Sequence, residues 1–447
     1  MGIRRNQKRI KKLCERLQSP LTIKQARKAG DTSSFSRKRT MPLKDIVLCT
    51  LAKKGLTTVM EIFHYFKEKG AEHVKVSKQN YLKQRKKLYP DIFKILNSEY
   101  LSDFYQDQEA QEEVKRWNDY ILLVEDGSCA EIPNSAQNRL QYGQSSNQYG
   151  KGVARAHISV LYDKLNHFIL DLQIGQLESS EIEQAKASIQ ALKEIVKEQK
   201  VLILFDRNYA SIEFMSFLEE SGIKYIIRLA DGQYKAERDA MPEDDCFVQL
   251  QHTKSRMACI RTKKAQRACQ IEKQQASAVR ITEAVLDNGE ETAFISNLKE
   301  ETGQQIIELY RSRWAIEGSY HTLKNKMKFE SVTGKDSVYV KQDFWAHMLV
   351  FNMLQDLITE SQTELEAKEE TKALKYRVKI NENIAIALFK ERFIRLMLVD
   401  EDALRGQMFL TLKGEMESNI VPIRQVAGKE RKWNHSNKYK CNLKPAF

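Results

Sequence analysis

The sequence predicts an α/β core with helical segments before and after it. Two short runs, 121–124 and 201–205, are wholly apolar, which is typical of strands covered on both faces of a sheet. Helical periodicity dominates on either side of the core, with Pro or Gly at several segment ends. A chain of 447 residues is long enough for two or three domains with a sizeable core.

Positive charge is concentrated at the N-terminus. Residues 1–100 contain 25 Lys and Arg but 8 Asp and Glu, a balance of +17, whereas the whole chain carries +13. This asymmetry favours a polyanion-binding module over ordinary solubility charge, and we expect residues 1–40 to form a basic, mobile arm. The seven cysteines are scattered, and the sequence has neither a secretory signal nor an 18-residue apolar run. We therefore expect a reduced, cytoplasmic protein with no membrane contact.

Three helices are predicted within a helical domain over residues 41–110. They span about 42–54, 57–69 and 78–88, and Gly55, Gly70 and Pro90 mark their ends. The third helix is rich in cationic and hydrogen-bonding residues, which suits a helix-turn-helix-like DNA-binding module. A simple helical bundle with an exposed basic face is the alternative. The candidate DNA contacts on this helix are Lys78, Gln79, Lys83, Arg85 and Lys86.

A core domain is predicted over residues 111–335. Strands at 121–124, 154–162 and 167–175, a helix at 178–197, a strand at 201–205 and a helix at 211–220 follow one another, the order that opens a ribonuclease H-like fold. Asp126 and Asp206 then follow two strands at the carboxyl edge of one sheet, where open α/β sheets place their sites. Residues 231–298 contain further β-like pieces, at 246–251, 267–271, 278–285 and 292–295, and form a β-rich insertion. Helices and a basic tail make up residues 336–447.

The segment 310–324 combines an apolar stripe with a polar one. At about 100° per residue, Tyr310, Arg313, Glu317 and Lys324 fall on one face of a continuous helix. A carboxylate between two cations and a hydroxyl suits a divalent metal and a phosphate. A solvated face with charge pairs one turn apart is the alternative. The apolar stripe beside them consists of Leu309, Ile316, Leu323 and Met327.

The spacing Tyr-x2-Arg-x3-Glu-x6-Lys resembles the signature of a family of bacterial insertion-sequence transposases, the hairpin-forming, cut-and-paste DDE enzymes. The run that ends in Asp126-Gly-Ser resembles the family's first catalytic strand, and Asp206-Arg-Asn-Tyr resembles its second, with Asn208 in place of the usual Gly. The three motifs occur in the family's order. Because Asn tolerates left-handed backbone angles, we expect the turn at Asn208 to be retained.

The resemblance implies that Asp126, Asp206 and Glu317 are catalytic and hold two Mg²⁺ or Mn²⁺ ions, with Asp126 bridging both. Glu125 is expected to point away from the site by strand alternation. The resemblance also implies that Tyr310, Arg313 and Lys324 hold a DNA phosphate, and Arg207 is a weaker candidate, as is Tyr209. In the family an aromatic residue of the insertion stacks on a flipped base. The candidates for that role here are Phe294 and Tyr234, and the alternative is that this chain builds the contact differently.

The implied function is a DNA transposase that binds the terminal inverted repeats of its element and joins them to target DNA, acting as a homodimer in the synaptic complex. Two alternatives remain open. A stand-alone ribonuclease H-like nuclease needs the carboxylates but neither the basic N-terminal region nor the polar stripe. A non-catalytic DNA-binding protein derived from a transposase is free to lose a carboxylate, and this chain keeps all three candidates.

Overall fold

A computed structural model describes residues 2–37, 40–107, 111–146, 152–260, 263–267, 276–285, 289–369 and 376–423. Contacts divide the chain into two compact units. The first comprises Met1–Phe104, Ala130–Arg155 and His321–Phe447, and the second comprises Tyr105–Cys129 and Ala156–Tyr320. No helix in the described part of the chain combines the length and apolar content needed to cross a lipid bilayer.

The helices alternate with strands through the middle of the chain and dominate both ends. In chain order they are α1 (Gly2–Arg16), α2 (Pro20–Gln25), α3 (Leu43–Leu51), α4 (Thr58–Glu68), α5 (Lys78–Arg85), α6 (Ile92–Tyr105), α7 (Ala136–Tyr142), α8 (Glu181–Val196), α9 (Ile212–Glu220), α10 (Lys235–Asp239), α11 (Lys254–Ala258), α12 (Lys263–Arg267), α13 (Gly303–Arg311), α14 (Ala315–His321), α15 (Ser337–Glu369), α16 (Glu382–Leu398) and α17 (Asp402–Ser418).

The described strands belong to one large mixed sheet, apart from two short strands that pair with each other near the C-terminal end. In chain order they are β1 (Ile121–Glu131), β2 (Gln144–Ser146), β3 (Gly152–Asp163), β4 (Ile169–Gly175), β5 (Val201–Phe205), β6 (Lys224–Arg228), β7 (Asp245–Gln251), β8 (Ala276–Val285), β9 (Glu291–Ser296), β10 (Val378–Ile380) and β11 (Ile420–Pro422). Strands β10 and β11 form the separate antiparallel pair.

In the first unit, the predicted helices appear as α3, α4 and α5. Pro42 and Thr57 are the N-cap residues of the first two, and the Ser77 hydroxyl accepts the backbone N–H of Asn80 at the start of the third. Gly55 and Gly70 have positive φ, a conformation that often ends a helix and that glycine adopts readily. The three helices are therefore specified largely by their local capping sequences.

The prediction of a mobile arm over residues 1–40 is wrong for most of its described part. Helix α1 buries Ile10 and Leu13, and the Arg9 guanidinium makes a bidentate contact with Asp356 of α15. Both members of that pair are about 6% exposed. The basic composition concealed this packing, because the partner carboxylate lies almost 350 residues away in the sequence.

The second unit is built on the sheet order β4-β3-β1-β5-β6-β9-β8-β7. Strands β1, β5 and β6 are parallel neighbours, and β5 is buried along its whole length, as its apolar sequence predicts. The strands of the insertion extend the same sheet, because β9 pairs antiparallel with β6. The strand predicted at 267–271 is wrong at Arg267, which ends α12, and its remainder lies outside the described residues.

The predicted continuous helix through 310–324 is interrupted twice. Helix α13 ends at Arg311, a 3₁₀ turn covers Ser312–Trp314, α14 follows, and a π-helical segment covers Thr322–Lys326. A 3₁₀ turn rotates more than 100° per residue and a π-helix rotates less, so the two departures largely offset each other. The predicted apolar stripe accordingly remains buried: Leu309, Ile316, Leu323 and Met327 are each at most 5% exposed.

Candidate active site

Asp126 and Asp206 lie level with each other across two parallel strands. The register pairs Ile121 with Val201 and continues to Val124 with Leu204, an offset of 80 residues. The same offset relates Asp126 to Asp206. Strand β1 continues to Glu131, so Asp126 lies within the strand rather than at its end as predicted, whereas Asp206 directly follows β5. Parallel pairing therefore places the two carboxylates at one edge of the sheet, as the sequence predicts.

The Asp126 carboxylate lies in an environment that disfavours its charge. Burial raises its pKa to about 6; the positive charge of Arg313 opposes this rise, and the negative charges of Asp206 and Glu181 add to it. The Arg313 Nη1 atom lies 3.7 Å from Asp126 Oδ1, and the Asp126 side chain remains 23% exposed. We call Asp126 and Asp206 the carboxylate pair. The pair carries more negative charge than its surroundings neutralise.

Glu125 points into the core, as strand alternation predicts. It is fully buried, accepts the hydroxyl hydrogen of Ser159, and leaves its Oε2 atom without a hydrogen-bond partner. Burial raises its pKa well above the ordinary value. Glu125 is therefore a core residue whose charged form is disfavoured by burial, and it is separate from the carboxylate pair.

Two side chains connect the segment around α14 to Asp126. Arg313 precedes α14 and faces the Asp126 carboxylate, and the Tyr320 hydroxyl donates to the Asp126 carbonyl at 2.7 Å. Glu317 lies between these contacts, four residues after one and three before the other. Its side chain is exposed. The contacts on both sides of Glu317 hold its helix against β1.

The predicted three-carboxylate cluster is not formed by the side chains as they lie. Among the described residues, no group of three or more His, Cys, Asp or Glu side chains is arranged so that it could hold a metal ion. The structure brings Asp126 and Asp206 together but does not group Glu317 with them.

Tyr310 is a packing residue rather than the phosphate donor that the sequence predicted. It is 7% exposed, and its ring centroid lies 4.7 Å from that of Phe294. The Arg313 guanidinium carbon lies 5.8 Å from the Tyr310 centroid, so the ring supports the cation. The Arg313 Nε atom is buried and makes no hydrogen bond. Phe294 is 1% exposed, which excludes its predicted stacking on a flipped base.

Comparison with known proteins identifies the family. A model of the family described as the transposase DDE domain matches residues 117–353, more than half of the chain. The chain belongs to this family. It also resembles the piggyBac transposase in a structure titled as a synaptic complex with hairpin DNA, at 9% identity and a TM-score of 0.41, over 92% of this chain and 81% of that one. No curated protein sequence matches the chain.

The DNA contacts predicted on α5 of this transposase separate into exposed and buried residues. Lys78, Gln79 and Lys83 are exposed. Arg85 is fully buried and ion-paired with Asp343, so its prediction as a DNA contact is wrong. A buried cation needs a buried counter-charge, and Asp343 supplies it. Lys86 is exposed and pairs with Asp336 at 2.6 Å.

The two cations predicted near the catalytic motifs are accessible, whereas Tyr209 is not. Arg207 is exposed, and Lys324 is half-buried within the π-helical segment. The Tyr209 side chain is 1% exposed, so its prediction as a DNA contact is wrong. Tyr234 is half-buried and lies beside the Arg256 guanidinium at 5.1 Å. These two residues help to line a cavity of about 400 Å³ that also includes Ala210 and Ser211, shortly after Asp206.

Two residues near the carboxylate pair, Glu181 and His157, were missed by sequence reasoning. Glu181 at the start of α8 lies 3.5 Å from His157 Nε2 and accepts the side-chain amide of Asn208 at 3.3 Å. The predicted turn at Asn208 is present, but it is a 3₁₀ turn capped by Asp206 and needs no left-handed backbone angle at Asn208. The one available signal was the replacement of the family's usual Gly by Asn208.

Proposed function

We propose that this DDE transposase binds the ends of its own insertion sequence and catalyses metal-dependent DNA strand cleavage and strand transfer by a cut-and-paste route. The observation that supports this most strongly is the level placement of Asp126 and Asp206 at one edge of a sheet within a transposase DDE domain. Paired acidic side chains at such an edge suit phosphodiester chemistry, which needs an activated nucleophile and a stabilised leaving oxygen.

The residues present fit divalent ions. Mg²⁺ and Mn²⁺ prefer oxygen ligands, and a cation near the carboxylate pair would favour the charged form of Asp126, which burial disfavours. In this proposal Asp126, Asp206 and Glu317 hold the ions. Two such ions, when bound, activate the attacking oxygen and stabilise the leaving oxygen of an in-line displacement. The contacts of Arg313 and Tyr320 keep the helix of Glu317 beside Asp126 for this purpose.

Arg313 has donor capacity for a DNA phosphate. Its Nη1 atom lies 3.7 Å from the Asp126 carboxylate, and a guanidinium can contact a carboxylate and a phosphate through different N–H groups. The Tyr310 ring lies against the Arg313 guanidinium and helps to position it. Arg207 and Lys324 supply further positive charge to the DNA backbone. These residues hold and orient the scissile strand, while the carboxylates carry the chemistry.

End recognition is proposed to rest on the exposed face of α5. One side of this helix exposes Lys78, Gln79 and Lys83, and the opposite side carries the buried residues Tyr81 and Arg85. Lys86 joins them by exchanging Asp336 for a phosphate, because an exposed ion pair contributes little to stability. Cations that displace condensed counterions make such binding strongly dependent on salt.

The later steps follow from the family resemblance. After hydrolysis, the freed 3′-hydroxyl attacks the opposite strand to form a hairpin, which reopens before transfer into target DNA. A homodimer brings the two ends together in the synaptic complex. Tyr234 replaces the family's stacking aromatic, since it is half-buried beside a cavity near the turn after Asp206. Stacking of a base on an aromatic ring contributes about 1–3 kcal/mol.

The test uses the DNA on both sides of the coding sequence as candidate ends. Linear fragments labelled at one end are incubated with the full chain and Mg²⁺, Mn²⁺ or Ca²⁺. Cleavage is expected at the boundary of an inverted repeat with Mg²⁺ or Mn²⁺, while Ca²⁺ is expected to permit binding with little turnover. Denaturing gels resolve nick, hairpin and released fragment.

Asp206→Asn is the negative control, because it removes one carboxylate charge while keeping a similar side-chain volume. Sequence-independent degradation by the wild-type chain would instead favour a stand-alone nuclease. Specific end binding without cleavage under every metal condition would favour a DNA-binding protein that has lost catalysis. The proposed function would be contradicted altogether if the chain neither bound nor cut any candidate end.

A further inference from the structure

The Glu181 carboxylate lies between the two chain segments that carry the catalytic aspartates. On one side its Oε2 atom accepts a hydrogen bond from Asn208, two residues after Asp206. On the other side its Oε1 atom fills the space that a Cβ atom would need on Gly127, the residue directly after Asp126. One side chain therefore contacts the neighbours of both members of the carboxylate pair.

His157 fixes the position of Glu181. This histidine on β3 is 6% exposed, its Nε2 atom lies 3.5 Å from Glu181 Oε1, and its Nδ1 atom lies 2.6 Å from Gln184 Oε1. Both neighbours are acceptors, so both ring nitrogens act as donors. Burial alone would lower the pKa of His157, but its contacts with Glu181 and Gln184 outweigh burial and raise it. The His157 imidazole thus fixes the position of the Glu181 carboxylate.

Gly127 leaves space for the ends of the Glu181 and His157 side chains. A Cβ atom at this position would lie 2.8 Å from Glu181 Oε1 and 3.0 Å from His157 Nε2. A larger residue here would therefore displace the Glu181 carboxylate. The glycine next to the first aspartate therefore belongs to the same packing arrangement as Glu181 and His157.

Asn208 completes the arrangement on the side of Asp206. Its backbone N–H donates to Asp206 Oδ1 at 2.7 Å, while its side-chain amide donates to Glu181. A glycine at position 208 could make the first contact but not the second. This explains in physical terms what the chain gains from an asparagine where the family usually has glycine.

We propose that Glu181, held by His157, is a positioning residue that fixes the spacing of Asp126 and Asp206 through Gly127 and Asn208. This inference rests on the proposed function, because it takes the carboxylate pair as catalytic. Glu181 acts through its neighbours, and its loss shifts the two aspartates relative to each other. A displacement of about 1 Å can slow catalysis about a hundredfold.

The experiment compares full-length Glu181→Ala, Glu181→Gln, Asn208→Gly and Gly127→Ala with wild type. We expect Glu181→Ala and Gly127→Ala to lower the kcat of nicking by about tenfold to a hundredfold with little change in KM for end DNA. Glu181→Gln keeps an oxygen for Asn208 and is expected to recover part of the rate. The double variant Gly127→Ala/Glu181→Ala should be no slower than either single variant, because both disrupt one contact. Glu183→Ala, an exposed glutamate in the same helical turn, is the matched control.

A second readout does not need a DNA substrate. Mn²⁺ is expected to raise the Tm of the wild-type chain, because a ligand that binds the folded state stabilises it. Glu181→Ala should need about tenfold more Mn²⁺ for the same increase, and Glu183→Ala should match wild type. If the wild-type chain cuts no candidate end, but Glu181→Ala needs more Mn²⁺ than wild type for the same increase in Tm, the proposed function fails and the positioning role stands. Wild-type kcat and Mn²⁺ response in both Glu181 variants would overturn the inference, as would equal losses in Glu183→Ala.

Discussion

Two aspartates with cationic neighbours, one in each unit, illustrate how a structural charge cluster differs from a candidate catalytic one. Asp343 of α15 is completely buried, with Lys53 Nζ at 2.5 Å, the Thr333 backbone N–H at 2.6 Å and Arg85 also in contact. Burial alone would raise its pKa, but the charges of Arg85 and Lys53 outweigh burial and lower it. We call Lys53, Arg85 and Asp343 the Asp343 cluster.

Asp126 shows the opposite balance. One arginine faces it at 3.7 Å, its side chain is partly exposed, and its pKa is raised to about 6. The Asp343 carboxylate is enclosed by two cations, so it can contribute to folding but has no capacity to bind a further cation. The carboxylate pair retains exposure and has one arginine beside it, which favours binding of a cation. This difference separates the carboxylate pair from the Asp343 cluster.

The largest expected effect is on catalysis at the carboxylate pair. Asp126→Asn and Asp206→Asn should each lower DNA cleavage by at least about a thousandfold, because groups that act as one catalytic unit fail together. The thermal stability of Asp126→Asn should equal or exceed that of wild type, since the change removes a disfavoured charge. The measurements are a cleavage time course and a melting curve. A variant that cuts at more than a tenth of the wild-type rate would contradict the comparison.

Asp343→Ala should show the reverse pattern, with loss of stability. It leaves Lys53 and Arg85 buried without their counter-charge, which costs about 3–5 kcal/mol. Equilibrium unfolding in urea measures this change. Asp103→Ala, which removes a more exposed partner of Lys12, is the control and should change stability by less than about 1 kcal/mol. Equal stability of the two variants would show that the Asp343 cluster does not support the fold.

Arg313→Ala tests the cation beside Asp126. We expect it to slow cleavage and hairpin formation by about tenfold to a hundredfold through loss of phosphate positioning. The steps after the first nick should slow more than the nick itself. Arg313→Lys should recover only part of the rate, because an ammonium group cannot reproduce the planar fork of a guanidinium. If Arg313→Ala cut DNA with the same time course as wild type, Arg313 would be only a packing partner of Tyr310, and the prediction would be wrong.

Glu360 of α15 is another carboxylate whose pKa is raised by burial, as it is for Asp126. It provides a test in which stability depends on pH. Burial raises its pKa to about 7, with Asp356 adding to the rise, and its Oε1 atom has no hydrogen-bond partner. Because the pKa is raised on folding, its favourable contribution is complete below about pH 4.5 and is lost as pH rises through 7. Glu360→Gln should therefore be about 2 kcal/mol more stable than wild type at pH 8.5. Urea unfolding should show the difference shrinking toward pH 4.5, and a pH-independent difference would contradict this account.

The sequence predicted those parts of the fold that depend on local pattern. The strand 201–205 and the helix starting at Ser77 were recovered because a buried apolar run and an N-cap are local signals. The placement of Asp126 beside Asp206 also followed, because parallel strands align their carboxyl ends.

The errors concern partners that are distant in the sequence. Arg85 resembled a DNA contact because its partner Asp343 lies 258 residues away, and Arg9 was assigned to a mobile arm although Asp356 anchors it. The polar stripe was derived from a continuous helix, whereas the 3₁₀ and π segments change the direction of individual side chains. Glu181 and His157 had no motif of their own, because their role depends on how strands and helices pack around Gly127.

The central claim is that Asp126, Asp206 and Glu317 serve one divalent-ion site. The most direct measurement replaces Mg²⁺ by Fe²⁺ and adds ascorbate and peroxide, so that radicals formed at the bound iron cut the nearby polypeptide backbone. The account predicts cuts near all three residues, suppressed by excess Mg²⁺ and absent in Asp126→Asn. Cuts near Asp126 and Asp206 with none near Glu317, or no specific cuts at all, would contradict it.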